Sequence, residues 1–114
     1  MAGGERIQKI NEVLKRELGA LILKEIDLPS AVLITIIKVE TSKDLEQCKV
    51  FTSVFPEKLT IQILKLLNAQ SYYFHQILNA KLFVRKIPKI RFVEEKELQK
   101  AQRVDMILNK IKDE

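Results

Sequence analysis

Three stretches of the chain repeat apolar residues every three or four positions, which is the spacing of an amphipathic helix. The first runs from Arg6 to Ile26, the second from Glu57 to Leu82, and the third begins at about Glu95. Pro29 ends the first stretch and Pro88 follows the second, because proline lacks the N–H group that a helix interior requires. We predict an N-terminal helix, a middle segment that forms one long helix or two in series, and a C-terminal helix.

Three other stretches have the composition of β-strands. Residues 31–40 are rich in β-branched side chains and apolar on both faces, so the pattern leaves the inner face of this strand open. Residues 47–54 alternate with period two, and the short connection between these strands predicts an antiparallel hairpin. A third strand over residues 89–93 places Lys89 and Arg91 on one face, opposite its apolar residues. The order α-β-β-α(α)-β-α predicts one α+β domain.

Length and composition fit a single domain. The chain has 114 residues, of which 46% are hydrophobic and 31% charged, and we predict one domain over residues 1–114 with residues 1–5 and 112–114 flexible. The longest apolar run, residues 31–37, is far shorter than the roughly 20 residues that span a bilayer. The N-terminus has no apolar core of a secretion signal. With Cys48 as its one cysteine, the chain is expected in a reducing cytoplasm.

Positive charge is concentrated in one short segment. Of the 20 basic residues behind the formal charge of +5, five lie in residues 81–91 together with no acid, so the rest of the chain balances at 15 basic and 15 acidic residues. The five are Lys81, Arg85, Lys86, Lys89 and Arg91. Because they straddle a helix end, a proline turn and a strand, we expect them to converge without neighbouring acids, an arrangement that phosphate groups match.

The nature of the polyanion follows from what else the sequence carries. No DNA-recognition helix or zinc finger is recognisable, which favours RNA over DNA. An acidic protein partner and an anionic membrane surface are the alternatives. In the run Tyr72-Tyr73-Phe74-His75, Phe74 lies on the apolar stripe, so Tyr72 or Tyr73 is partly exposed. The exposed ring either stacks on an unpaired base or lies half-buried at a helix junction.

No constellation of residues predicts catalysis, a metal site or a cofactor. His75 has no nucleophile or acid at a diagnostic spacing, and a structural role or an RNA contact is favoured. Cys48 falls on the inner side of a strand, where a free cysteine behaves as a small apolar residue. Glu94, Glu95 and Glu97 suit the dipole at the start of the last helix, and phosphate-binding glycine loops are absent. We predict that the chain is not an enzyme and takes no small-molecule substrate.

Two motifs in this chain resemble those of the bacterial ribosome-binding factor A family. Residues 39–50 look like that family's hairpin pattern Val-Glu-x-Ser-x-Asp-Leu-x-x-Ala-Lys-Val, with Cys48 in place of the small residue. Residues 84–92 are similar to its Leu-Arg-x-x-Pro-x-Leu-x-Phe stretch, and residues 6–18 resemble its opening helix. The match runs from about Arg6 to Ile111. Two motifs in the right order within a chain of the right length are more specific than either alone.

The resemblance implies a KH-like domain of the second type, with the order α-β-β-α(kink)α-β, an added C-terminal helix, and a three-stranded sheet packed on helices. In this family a helix-kink-helix with the sequence Ala-x-Gly replaces the GxxG loop. That motif falls on Gln70-Ser71-Tyr72, or on Ala69-Gln70-Ser71 after a shift of one residue, and either way the glycine is missing. A milder kink is one outcome, set by Ser71 bonding to the backbone. The family's arginine after the kink falls on His75.

The family resemblance also implies a function. It implies a non-enzymatic factor that binds the small ribosomal subunit and its rRNA during late maturation and rRNA processing, and that assists growth in the cold. We expect a monomeric, cytoplasmic protein with no cofactor and no membrane partner. The predicted RNA-binding residues are the five cations and one histidine: Lys81, Arg85, Lys86, Lys89, Arg91 and His75.

Overall fold

The N-terminal helix covers one end of the sheet. In the computed structural model, which describes residues 2–82, 84 and 86–98, helix α1 spans Ala2–Glu25. It begins at Ala2 rather than at Arg6, so the helix includes residues 2–5, and their flexibility stays a prediction. Its buried residues follow the predicted spacing of three and four and are Leu14, Leu18, Leu21 and Ile22.

Three strands form a mixed sheet in the order β1-β2-β3. Strands β1 (Leu33–Thr41) and β2 (Gln47–Phe55) are the predicted antiparallel hairpin, whereas β3 (Lys89–Glu94) runs parallel to β2. A parallel neighbour requires a crossover connection, and the middle helical segment of the chain supplies it. Strand β2 is therefore central, with β1 and β3 at the two edges.

A bulge in β1 explains why its inner face could not be assigned from the sequence. Ile34 pairs with Val54, but the register shifts between Ile36 and Lys38, so Ile37 has no partner across the ladder. An extra residue in one strand reverses which positions face the core. After the bulge, Val39 is the buried residue, at 3% exposure. Apolar side chains are therefore found at both odd-numbered and even-numbered positions of this strand.

The hairpin motif builds the turn between β1 and β2. The Ser42 hydroxyl donates to the Asp44 carboxylate at 2.6 Å, and that carboxylate accepts from the Glu46 N–H at 3.0 Å. These hydrogen bonds lower the pKa of Asp44, and the one from Ser42 has the larger effect. Their contribution to the stability of the fold is therefore lost only as the pH falls through that lowered pKa. Leu45 has a φ of 60°, which is uncommon for such a residue. The polar residues of the motif therefore hold a backbone conformation that Leu45 would otherwise resist.

The middle helical segment is two helices, α2 (Thr60–Ala69) and α3 (Ser71–Lys81), after a short 3-10 turn at Glu57–Leu59. The break lies at Gln70, whose φ of −95° and ψ of 0° fall in the bridge region that is typical of turns. The Ser71 hydroxyl donates to the Asn68 carbonyl at 2.9 Å. The kink therefore does not use the left-handed region in which glycine has its main advantage.

Asn68 on α2 satisfies the free edge of β3. Its side-chain amide donates to the Phe92 carbonyl at 2.9 Å, and its side-chain oxygen accepts from the Phe92 N–H at 2.8 Å. Edge strands leave such backbone groups without partners. One amide side chain thus takes the place of a neighbouring strand and fixes the end of α2, next to the kink, against β3.

Replacing Asn68 with Ala is expected to lower the free energy of unfolding by about 1–3 kcal/mol, because both Phe92 backbone groups lose their partners. Gln62→Ala, at an exposed position of the same helix, is the matched control and should change stability by no more than about 0.5 kcal/mol. Urea denaturation of the two variants makes the comparison. Equal changes in both would show that the two hydrogen bonds from Asn68 add nothing to stability.

The helices and the inner face of the sheet share one core, with the edge-to-face rings of Phe74 and Phe92 near its centre. The predicted α+β fold with a three-stranded sheet is confirmed. Residues 95–98 are helical, and the remainder of the predicted C-terminal helix lies outside the described residues, as does Met1. Within the described part of the chain, no helix has the length and apolar character needed to cross a bilayer.

Candidate nucleic-acid interface

A cavity of about 510 Å³ lies between α3 and the chain that enters β3. We call it the α3–β3 groove. One wall comes from α3, and the other comes from the start of β3 and the segment before it. Its lining residues are Glu46, Ser71, Tyr72, His75, Asn79, Lys86, Ile87, Lys89 and Ile90. The groove therefore combines an aromatic ring, apolar side chains and two cations.

Helical spacing places the groove residues of α3 on one side. Tyr72, His75 and Asn79 recur at steps of three and four, while Phe74 and Leu78 point to the core and are fully buried. Tyr72 is 72% exposed. Of the two tyrosines that the sequence left open, Tyr72 is the one in the groove. Its ring offers a free aromatic face.

His75 fixes the opposite wall. Its Nε2–H donates to the Ile87 carbonyl at 2.8 Å, and this nitrogen must carry the proton because a carbonyl oxygen only accepts. Two residues after Ile87, the Lys89 N–H donates to the Glu46 carbonyl at 2.9 Å, which ties the start of β3 to the hairpin turn. The histidine that replaces the family arginine thus has a structural contact, while its ring also lines the groove.

Two of the predicted cations have acidic partners, contrary to the expectation of a segment without neighbouring acids. Lys81 donates to Glu17 of α1 at 2.8 Å, and the hydrogen bond lowers the pKa of that carboxyl group. Lys86 forms an ion pair with Glu46 of the hairpin turn. Both acids are distant in sequence, so a count within residues 81–91 does not reveal them. The positive charge of Lys81 and Lys86 is partly compensated.

Lys89 and Arg91 are exposed on the face of the sheet that points away from the helices. The register of β2 and β3 places Lys49 directly beside Arg91 on that face, and Lys49 is exposed too. We call Lys49, Lys89 and Arg91 the outer-face cations. Among the described residues, no ion pair within 4.0 Å involves any of them. Arg85 lies outside the described residues, and its predicted role stays a prediction.

Lys49 is the residue that sequence reasoning missed. The period-two alternation of residues 47–54 places Lys49 on the side of β2 opposite Cys48. Only the parallel pairing of β2 with β3 shows that Lys49 lies beside Arg91. The predicted kink residues are also distributed by the fold. Ala69 and Gln70 lie at the helix break, whereas Ser71 and Tyr72 line the groove.

Catalytic or metal chemistry finds no support in the described part of the chain. Cys48 is 1% exposed, and burial raises the pKa of its thiol to about 12, which leaves it protonated and unreactive at neutral pH. Across residues 2–82, 84 and 86–98, no group of three or more His, Cys, Asp or Glu residues could hold a metal ion. Binding through shape, stacking and charge is what this arrangement can do.

The element order, the antiparallel and parallel strand pairs, and the helix break beside the groove define a KH-like domain of the second type. Its solved neighbours share the fold: a Thermus thermophilus ribosome-binding factor A covers 79% of this chain and 97% of its own at a TM-score of 0.68 and 23% identity. The family model for ribosome-binding factor A matches residues 6–108. The chain belongs to the ribosome-binding factor A family, which confirms the resemblance found in its motifs.

Relatives cover nearly the whole chain. Ribosome-binding factor A of Halothermothrix orenii is 31% identical over 111 residues, which are 96% of this chain and 91% of the relative. A Thermus thermophilus homology model, fitted into a cryo-EM map of a 30S complex, is 25% identical and covers 73% of this chain and 88% of its own at a TM-score of 0.60. This family consists of non-enzymatic ribosome-associated factors, so the prediction that the chain is not an enzyme is confirmed by its membership.

Proposed function

We propose that this chain binds the small ribosomal subunit through its rRNA late in the maturation of that subunit. In this proposal it acts as a monomer in the cytoplasm, aids rRNA processing, and matters most for growth in the cold. Family membership supports the ribosomal partner, and so does the Thermus thermophilus relative in a 30S complex. The α3–β3 groove is the observation that carries the RNA part of the proposal.

The groove has the features that single-stranded RNA uses. Unpaired bases stack on exposed aromatic rings, and cations beside the ring hold the phosphates. Tyr72 supplies such a ring, and Lys86 and Lys89 supply the cations, while the nearly buried Ile87 and Ile90 line the cavity beneath them. In this proposal the predicted cations Lys81, Arg85 and Arg91 extend the contact to flanking phosphates. Recognition is therefore by strand shape and charge more than by base sequence.

Such binding suits a factor that leaves the finished subunit. Contacts between side chains and phosphates release counterions, so affinity falls with salt, at a log-log slope of about −0.7 for each phosphate on a single strand. Lys86 has to leave Glu46 before it can hold a phosphate, which reduces its net contribution. Several weak, salt-sensitive contacts add up to useful affinity while they keep dissociation fast.

Co-sedimentation with purified ribosomal subunits tests the proposal. We expect the chain to migrate with small subunits and not with large subunits at low salt, to dissociate as salt rises, and to be displaced by excess rRNA. A partner that excess rRNA fails to displace would contradict the RNA part and favour an acidic protein. In a host that lacks its own family member, the chain should lower the amount of precursor small-subunit rRNA and restore growth in the cold. Failure of both would refute the maturation role.

A further inference from the structure

The outer-face cations form a compact group on two neighbouring strands. Lys49 pairs with Arg91 in the β2–β3 register, and Lys89 lies two residues before Arg91 on the same face. Paired strands lie about 4.8 Å apart, and residues two apart on a strand are separated by about 6.6 Å. Three cations within such distances match consecutive phosphates better than a single carboxylate.

This grouping is unfavourable for the free protein. Like charges directly opposite each other on neighbouring strands destabilise a sheet, and three nearby acids offset this repulsion only in part. Glu40 pairs with Lys49 on the β1 side, but its carboxylate is 3.1 Å from Lys38. Glu94 and Glu97 share a shallow cavity with Arg91. None of these acids forms an ion pair with an outer-face cation in the described residues. The charge therefore remains available to a ligand.

Lys89 connects the outer face to the α3–β3 groove. It lines the groove, and it is also the first outward-facing residue of β3. Its backbone is held by the hydrogen bond to the Glu46 carbonyl, so the start of β3 has a fixed position. A strand that leaves the groove past Lys89 meets Arg91 and Lys49 next.

The neighbouring surface favours RNA over an acidic polypeptide. A polypeptide that binds a sheet adds to an edge strand through backbone hydrogen bonds, whereas Lys49 lies on central strand β2, whose backbone is already paired on both sides. RNA needs only the cations here, because its bases can stack in the adjoining groove.

We infer that the RNA path continues from the α3–β3 groove over the start of β3 onto the outer face of the sheet, where Lys49 binds phosphate beside Lys89 and Arg91. This inference rests on the proposed function and adds to it a second surface and a residue outside the basic segment. Along this path, one RNA strand contacts the protein both in the groove and on the outer face of the sheet beside β3.

Oligonucleotide length tests the path. The probes are oligouridines of about 4 nucleotides, which can occupy the groove alone, and of about 12 nucleotides, which can reach the outer face. Lys49→Gln should weaken the longer probe about fivefold, reduce its salt slope by about 0.7, and leave the shorter probe unchanged. Lys49→Arg should retain the affinity. Lys24→Gln, at an exposed position of α1, is the matched control and should change neither probe.

The outcomes separate the two proposals. If the unaltered chain binds neither oligouridine nor small subunits, the proposed function fails and takes the path with it. If the chain binds RNA but Lys49→Gln weakens both probes equally or neither, only the path is refuted. Polyglutamate binding that Lys49→Gln abolishes, with RNA binding intact, would assign the outer face to an acidic protein and also refute it. Melting temperatures of the variants should be no lower than that of the unaltered chain, and Lys49→Gln should raise it slightly because it removes the repulsion from Arg91.

Discussion

Replacing Lys89 and Arg91 together with Gln should weaken binding of small ribosomal subunits by about a hundredfold, because each loses a charged hydrogen bond to phosphate. Both side chains are exposed and have no acidic partner within ion-pair distance in the described residues. Their removal should therefore not lower the free energy of unfolding by more than about 0.5 kcal/mol, and it should relieve the repulsion from Lys49. Co-sedimentation across a salt series measures the loss, and thermal unfolding checks the fold.

The matched control removes the same net charge from the same segment. Lys81 and Lys86 are held by Glu17 and Glu46, so replacing these two lysines with Gln should weaken binding by no more than about tenfold, because breaking their ion pairs already opposes phosphate binding. Equal losses in the two double variants would mean that binding follows net charge alone, and that the placement of these cations has no effect.

Replacing Phe74 with Ala should lower the free energy of unfolding by about 3–5 kcal/mol, a large fraction of the stability of a typical domain. The side chain is fully buried, and its ring forms an edge-to-face contact with that of Phe92, with 6.2 Å between the ring centroids and 76° between the ring planes. Its removal leaves a cavity between α3 and the sheet, beneath the helix that forms one wall of the α3–β3 groove. Urea denaturation measures the change.

Neighbouring aromatic residues provide the controls. Tyr73 is 45% exposed and Tyr72 is 72% exposed, so Ala at either position should cost no more than about 1 kcal/mol of stability. Tyr72→Ala should instead weaken RNA binding, because it removes a stacking surface from the groove. A Tyr73→Ala variant as unstable as Phe74→Ala would contradict the assignment of the core face of α3.

Local patterns predict the elements of this fold well because they depend on neighbours in sequence. The apolar spacing of α1 matches its buried residues, and so does the alternation of β2 except at Phe51, which is buried although it shares the outer side with Lys49. Pro29 and Pro88 lie outside the helices as expected. The sequence could not assign the inner face of β1, because the bulge at Ile37 is a property of its pairing with β2. The sequence also could not show that the helix break falls at Gln70, with a negative φ.

The candidate site shows the same division more sharply. Five of the six predicted RNA-binding residues lie in the described residues, and the fold separates them: Lys86, Lys89 and His75 line the groove, Lys81 contacts α1, and Arg91 lies on the outer face. The sequence marked the charged segment because its cations are adjacent in the chain. It could not show Glu17, Glu46 or Lys49, which reach that segment through helix packing and strand pairing.

The sequence alone determined the order of elements, the family and the positive charge of the candidate interface, since these follow from local periodicity, from motifs and from the count of charged residues. The tertiary structure decided which cations remain available, because ion pairing depends on distances between residues far apart in the chain. It also decided that β3 has a groove on one side and a charged face on the other. Parallel pairing of β2 with β3 brings Lys49 to Arg91, and this contact exists only once the crossover helices have packed.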